Sequence, residues 1–276
     1  KSDIVCRYQG GNNAGHTVIN DRGEFVLNLL PSGILRPEVV NVMGNGMVVD
    51  MKHLCGEMKK LTDAGISPVY GDKYMKKALR MADLFAPEAA LREQVRELVE
   101  YKNLTIKGVY KAEGESVDAI MEWIHTYGDV IKPFVCDVSE YLDAADKAGK
   151  NIMFEAQLGA LRDIDFGIYP YTSSSSTIAA YAPIGAGIPG RRLDYTLGIM
   201  KAYSTCVGEG PFTCEMFGDE AKALRDAGGE YGAATGRPRR VGPFDVPASR
   251  YGVRMQNATN IALTKLDILS YMDRIP

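Results

Sequence analysis

The chain has 276 residues, 46% of them hydrophobic, which is enough to bury the core of one large α/β domain or two average ones. Its net charge of −3 leaves no broad basic face, which sets nucleic-acid binding aside, and no apolar run approaches the length of a membrane span. Five scattered cysteines without a CxxC pair fit a reduced compartment, and His16, His53 and His125 lack zinc-ligand spacing. With no signal-peptide pattern in the first residues, the expected setting is cytoplasmic.

Residues 4–8 read as a short strand running into the glycine-rich segment QGGNNAGHT at 9–17. Residues 25–30, almost continuously apolar, predict a second strand of a buried sheet, and 39–43 a third, closed by Gly44-Asn45-Gly46. Leu54, Met58 and Leu61 recur at helical spacing across 51–64, with Gly65 as the stop. Leu91, Val95, Leu98 and Val99 mark another helix, and Val117, Ile120, Met121 and Ile124 a third. Ser139 is the expected cap of a helix through Ala148, ended by Gly149 and followed by a strand at 152–154. The alternation predicts an α/β fold, a large mixed, mostly parallel sheet with helices on both faces. One join, Ile66-Ser67-Pro68-Val69, passes from a helix end into a Tyr- and Lys-rich stretch without turn logic.

Four segments carry chemistry. In the first, glycines after a strand let backbone N–H groups approach a phosphate, Asn13 adds a neutral donor, and His16 can meet charge developing on a phosphoryl oxygen. A tight turn with a hydrogen-bonded histidine is the plainer alternative. The second, DIDFGIYPYTSSSST at 163–177, offers hydroxyl donors around Ser173. Its two aspartates suit a metal less often than a turn cap. The third, GAATGRPRR at 232–240, sets three arginines on a short loop able to clamp carboxylates or phosphates, or to form a surface cluster. The fourth, LTKLD at 263–267, ends an apolar strand in Lys-x-Asp, the guanine-reading pattern of GTP-binding proteins and weak alone.

In this order and company, the four segments resemble the adenylosuccinate synthetase family, with further matches at LPSGIL (30–35), KAYST (201–205) and VGEGPF (207–212). The resemblance spans nearly the whole chain. It implies GTP-dependent ligation of L-aspartate to IMP through a 6-phosphoryl-IMP intermediate, in AMP biosynthesis, with Mg²⁺ as cofactor and a homodimeric assembly. It also implies roles for residues. His16 becomes the general acid, and Gly15 gives its carbonyl to the metal. GTP contacts fall on Gly15, His16, Thr17, Arg239, Lys265, Leu266 and Asp267. IMP contacts fall on Asn13, Ala14, Gly15, His16, Lys76, Gln157, Ser173, Val207 and Arg237. The aspartate loop comprises Ala233, Ala234, Thr235, Gly236, Arg237, Pro238 and Arg239.

Departures from the family pattern accompany the match. The family's GDEGKGK loop, whose aspartate deprotonates the purine and binds metal, has no counterpart in the 276 residues. A second loop, TTGRGIGP, is absent at the Ser67–Pro68 join, so residues 1–276 are expected to form one synthetase-like domain, incomplete at both ends and lacking residues between 67 and 68. Loops that order only on ligand binding explain an internal gap better than truncation does. Lys76 stands where the family sends an arginine across its dimer interface, Leu158 where a glutamine contacts the purine, and Ala234 where a threonine is usual. A paralogue acting on another purine nucleotide, or a non-catalytic nucleotide-binding protein, is the alternative.

Overall fold

The computed structural model describes residues 1–12, 15–20, 23–59, 67–232 and 236–275, divided into two compact units, Lys1–Met153 and Phe154–Pro276. In the first unit, strand β1 (Ile4–Arg7) is buried along its whole length. It pairs in parallel with β4 (Val40–Met43), Ile4 opposite Val40 and Arg7 opposite Met43. β5 (Ile152–Glu155) flanks β1 on its other side, and the unit boundary falls within it. Burial pushes the Cys6 thiol on β1 up to about 12, so it behaves as a small core hydrophobe.

The segment expected to be one buried strand at 25–30 is instead half of a hairpin. β2 (His16–Asn20) pairs antiparallel with β3 (Gly23–Leu27), His16 opposite Leu27. β3 begins exposed and becomes buried only at Leu27, so its apolar run reflects an edge ribbon feeding into the core at Leu29 rather than a central strand.

Helix α1 (Met51–Lys59) confirms the helical spacing as far as it is described; Leu61 and Gly65 lie outside the described residues. The unexplained join is itself helical: α2 (Ser67–Tyr74) carries Pro68 in its first turn, where a missing N–H costs nothing. α3 (Glu88–Gly108) buries Leu91, Val95 and Val99, every fourth residue, while Leu98 is half-buried. These meet Met51, Leu54 and Cys55 of α1 and Met121 of α4 (Val117–Trp123) in one apolar cluster with Leu29. A π turn at Ile124–Gly128 leads to the short α5 (Asp129–Ile131). The next helix, α6 (Val138–Lys147), is capped by Asp137, not Ser139: the Asp137 carboxylate accepts from the Glu140 N–H at 3.0 Å.

The second unit holds α7 (Ala182–Ala186), a parallel pair and an antiparallel pair. β6 (Leu197–Lys201) runs beside β9 (Asn260–Thr264), and β7 (Ser204–Cys206) pairs with β8 (Arg240–Gly242). α8 (Gly218–Gly228) packs Ala221 and Leu224 against Ala202, Tyr203, Val241 and Leu269. α9 (Val246–Gln256), capped by Asp245, leads into β9. The class is α/β, as expected; among the described residues the strands pair as one three-stranded and three two-stranded sheets rather than as one large sheet. No helix among the described residues is long and apolar enough to cross a membrane.

Candidate active site

In the first unit the glycine-rich loop joins β1 to β2. Gly10 has φ +83°, a backbone setting that a side chain would strain. Its N–H donates to the buried Tyr70 hydroxyl at 3.0 Å, and its carbonyl accepts from Val48 N–H at 3.0 Å. The first glycine therefore builds the turn, and its N–H does not face a phosphate as sequence reasoning allowed. Asn28 Nδ2 donates to the Asn12 carbonyl at 3.0 Å, pinning the loop immediately before Asn13 and Ala14, which lie outside the described residues. Asn28 is held in turn by a buried carboxylate. Glu57 accepts from the N–H groups of Asn28, Leu29 and Leu30 at 2.7–2.8 Å and from His53 Nε2 at 3.0 Å.

Past that anchor, Gly15 is exposed, and a Cβ on it would stand 3.2 Å from Asn28 Nδ2. His16 opens β2 half-buried and Thr17 is exposed. Lys76 sits just beyond α2, exposed, at φ +61°, with its N–H on the Lys73 carbonyl.

In the second unit Gln157 is half-buried and Leu158 exposed at φ +81°. Asp163 is a turn cap, not a metal ligand. Sealed from solvent, it accepts from Asp165, Phe166 and Thr177 N–H groups at 2.9, 3.1 and 2.6 Å. Gly167 fits beneath it only because it lacks a Cβ, which would lie 2.4 Å from the Asp163 carbonyl. Arg162 then ties two expected contacts together. Its carbonyl accepts from Ser173 N–H at 2.8 Å, and its guanidinium donates to the Val207 carbonyl at 3.0 Å. Ser173 Oγ lies 2.9 Å from Ser175 Oγ.

Of the three clustered arginines, Arg240 is committed to structure. It grips Glu215 with two nitrogens, Nε at 2.8 Å and Nη2 at 2.5 Å, and donates to the Gly210 carbonyl at 2.8 Å. Arg237 is exposed on a tight loop, where Gly232 N–H donates to its carbonyl at 2.9 Å; Ala233, Ala234 and Thr235 lie outside the described residues. Gly236 turns this loop at φ +63°, and Pro238 bridges to Tyr231.

Arg239 is anchored by a residue that sequence reading missed. Glu230, 1% exposed, accepts from Arg239 Nη1 at 2.9 Å, Lys201 Nζ at 2.7 Å and the Tyr203 hydroxyl at 2.5 Å. Burial pushes the Glu230 carboxyl up, but hydrogen bonds from Lys201, Tyr203 and Arg239 outweigh it and hold it below the usual range. Two residues earlier, the Gly228 carbonyl accepts from Lys265 Nζ at 3.1 Å. Lys265 adopts φ +60° after β9, Leu266 is half exposed, and Asp267 opens the 3-10 turn Asp267–Leu269 with its carboxylate exposed.

A hydroxyl-rich turn, an arginine loop seated on a buried glutamate and a Lys-x-Asp turn after a parallel strand make up an α/β enzyme equipped for anionic substrates. The protein-family model described as Adenylosuccinate synthetase matches residues 1–66 and 61–276. The chain belongs to the adenylosuccinate synthetase family: it is a ligase forming a C–N bond, joining L-aspartate to IMP with GTP in AMP biosynthesis. The adenylosuccinate synthetase of Halothermothrix orenii is 41% identical over 310 residues, covering 98% of this chain and 72% of the relative. That of a Psychrobacter species is 40% identical over 317 residues, covering 100% and 73%. The structure of fully ligated adenylosuccinate synthetase from Plasmodium falciparum matches with a TM-score of 0.87 at 29% identity, covering 97% of this chain and 72% of that one. A cyanophage S-2L succinoaminodeoxyadenylate synthetase, bound to dGMP and dATP, shares the fold at 19% identity and a TM-score of 0.57. Members of the family bind nucleotide and substrate and require a metal ion.

Proposed function

We propose that His16 is the general acid of a two-step ligation and that Lys265 and Asp267 select guanine. In the first step the purine N1 gives up its proton to a base, the IMP 6-oxygen attacks the γ-phosphorus of GTP, the β–γ bridging P–O bond breaks, and GDP leaves. His16 meets charge developing on the transferred phosphoryl group. In the second step the neutral aspartate amine forms a bond to C6, the C6–O bond breaks with its electron pair leaving on phosphate, and the new C–N nitrogen releases a proton to solvent. Asn13, Ala14, Gln157, Ser173, Val207 and Arg237 serve IMP, Thr17, Leu266 and Arg239 serve GTP, Gly15 and His16 serve both nucleotides, and residues 233–239 serve aspartate. Lys76 reaches the nucleotide of the second subunit in a homodimer, and the setting is cytoplasmic. The exposed position of Lys76 beyond α2 supports that reading.

Mg²⁺ is the proposed metal, with the Gly15 carbonyl as one hard oxygen ligand and nucleotide phosphates supplying others. The exposed Gly15, backed against Asn28, suits a carbonyl ligand next to phosphate. A metal held by these groups would supply neutralisation of the phosphate charge.

The observation that carries this reading is the turn after α8. Gly228 holds Lys265 and Glu230 holds Arg239, so the guanine-reading and aspartate-reading elements share one short support. Residues 1–276 are proposed to act as one synthetase domain lacking an internal segment at the 67–68 junction. Family matches that overlap at 61–66, and 317 aligned positions for 276 residues, support this.

The phosphorylated intermediate is tested with IMP labelled by ¹⁸O at the 6-position. All label lost from the purine should appear in inorganic phosphate. Label in water would rule out the two-step route.

A further inference from the structure

The Glu230 carboxylate lies at the floor of a cluster whose other members are partly open. Its side chain is 2% exposed, whereas those of Lys201 and Arg239 are 31% and 32% exposed. One oxygen, Oε1, takes both Lys201 and Tyr203, leaving Oε2 for Arg239. Arg239 is tied twice, because its N–H also donates to the Glu230 carbonyl at 2.9 Å. Only Nη1 of the Arg239 guanidinium is engaged among the described residues, so Nε and Nη2 remain available as donors. Two cations over one carboxylate leave a single net positive charge with restricted geometry, the arrangement that fits a carboxylate.

The packing around the carboxylate is equally specific. A Cβ on Gly228 would stand 2.4 Å from the Tyr203 hydroxyl, so the chain can bring Tyr203 onto Glu230 only with glycine there. The same Gly228 supplies the carbonyl that holds Lys265.

We propose that Glu230 is a positioning residue for aspartate capture, fixing the Arg239 guanidinium and the Lys201 ammonium as one preorganised cationic pair. This rests on the reading of Arg239 as an aspartate ligand. An unheld arginine would sample many rotamers, and aspartate binding would then bear the cost of ordering it. Glu230→Gln keeps the shape of the side chain but removes its charge.

The test measures KM for each substrate separately in Glu230→Gln, Arg239→Lys and the double variant. Glu230→Gln should raise KM for aspartate about 10- to 100-fold, with kcat and the KM for IMP within about threefold. The double variant should be little worse than Arg239→Lys alone, because both changes disable one device. A raised aspartate KM in Arg239→Lys beside an unchanged one in Glu230→Gln overturns the positioning role. An unchanged aspartate KM in Arg239→Lys removes the Arg239 reading, and the proposal falls with it. Should Glu230→Gln not fold, Glu230→Asp keeps the charge with a shorter reach. Its aspartate KM should rise by an intermediate factor, and no rise overturns the proposal.

Discussion

Replacing His16 by asparagine is expected to lower kcat by roughly two to four orders of magnitude while leaving KM for GTP within about threefold. Asparagine retains a hydrogen-bond donor of similar size but can neither carry positive charge nor deliver a proton. The loss therefore falls on the transition state, where charge on the phosphoryl group develops. The fold should tolerate the change, because His16 is half-buried and its pairing with Leu27 is made by backbone atoms. Pre-steady-state measurement of GDP formation separates chemistry from product release. A variant with wild-type turnover would remove His16 from the reaction.

Asp267→Asn is expected to raise KM for GTP by about 100-fold or more, since an amide nitrogen replaces an oxygen that would accept from the guanine N1–H or 2-amino group. The same variant should accept xanthosine triphosphate in preference, because the purine then offers a carbonyl at C2 to the new donor. The exposed carboxylate at the start of a single 3-10 turn leaves little stability at stake. Competition between the two nucleotides at fixed IMP and aspartate reads the switch directly. Undiminished GTP preference would place guanine recognition elsewhere.

What was legible in the sequence was the local part. β1 and β4 announce themselves as apolar runs beside glycine turns, and α3 as a fourfold spacing of Leu91, Val95 and Val99. β2 was not legible: His16 and Thr17 end a polar loop, and only pairing with β3 makes them a strand. Asp137 and Ser139 are chemically equivalent caps two residues apart, and the helix starts where Asp137 can reach Glu140 N–H. Ser67-Pro68 reads as a break because no turn residue marks it, and the structure adds only that Pro68 stands in the first turn of α2.

The site divides in the same way. The resemblance singled out Arg239 and left Arg240 without a role, but the residues alone gave no physical reason for the difference. Adjacent and chemically identical, they diverge because one meets Glu230 and the other Glu215, 25 residues away in sequence. Glu230 itself gave no signal, since its meaning lies in Lys201 and Tyr203, which approach it only after β6 and α8 pack. Arg162 likewise becomes informative only once it spans from Ser173 to Val207.

The most direct measurement is the reaction itself: purified protein with IMP, GTP, L-aspartate and Mg²⁺, with products separated by chromatography and identified by mass. Adenylosuccinate, GDP and phosphate should form in equal amounts, and omission of any one substrate should abolish adenylosuccinate formation. Folded protein that binds GTP and yet forms no adenylosuccinate under these conditions would contradict the assignment.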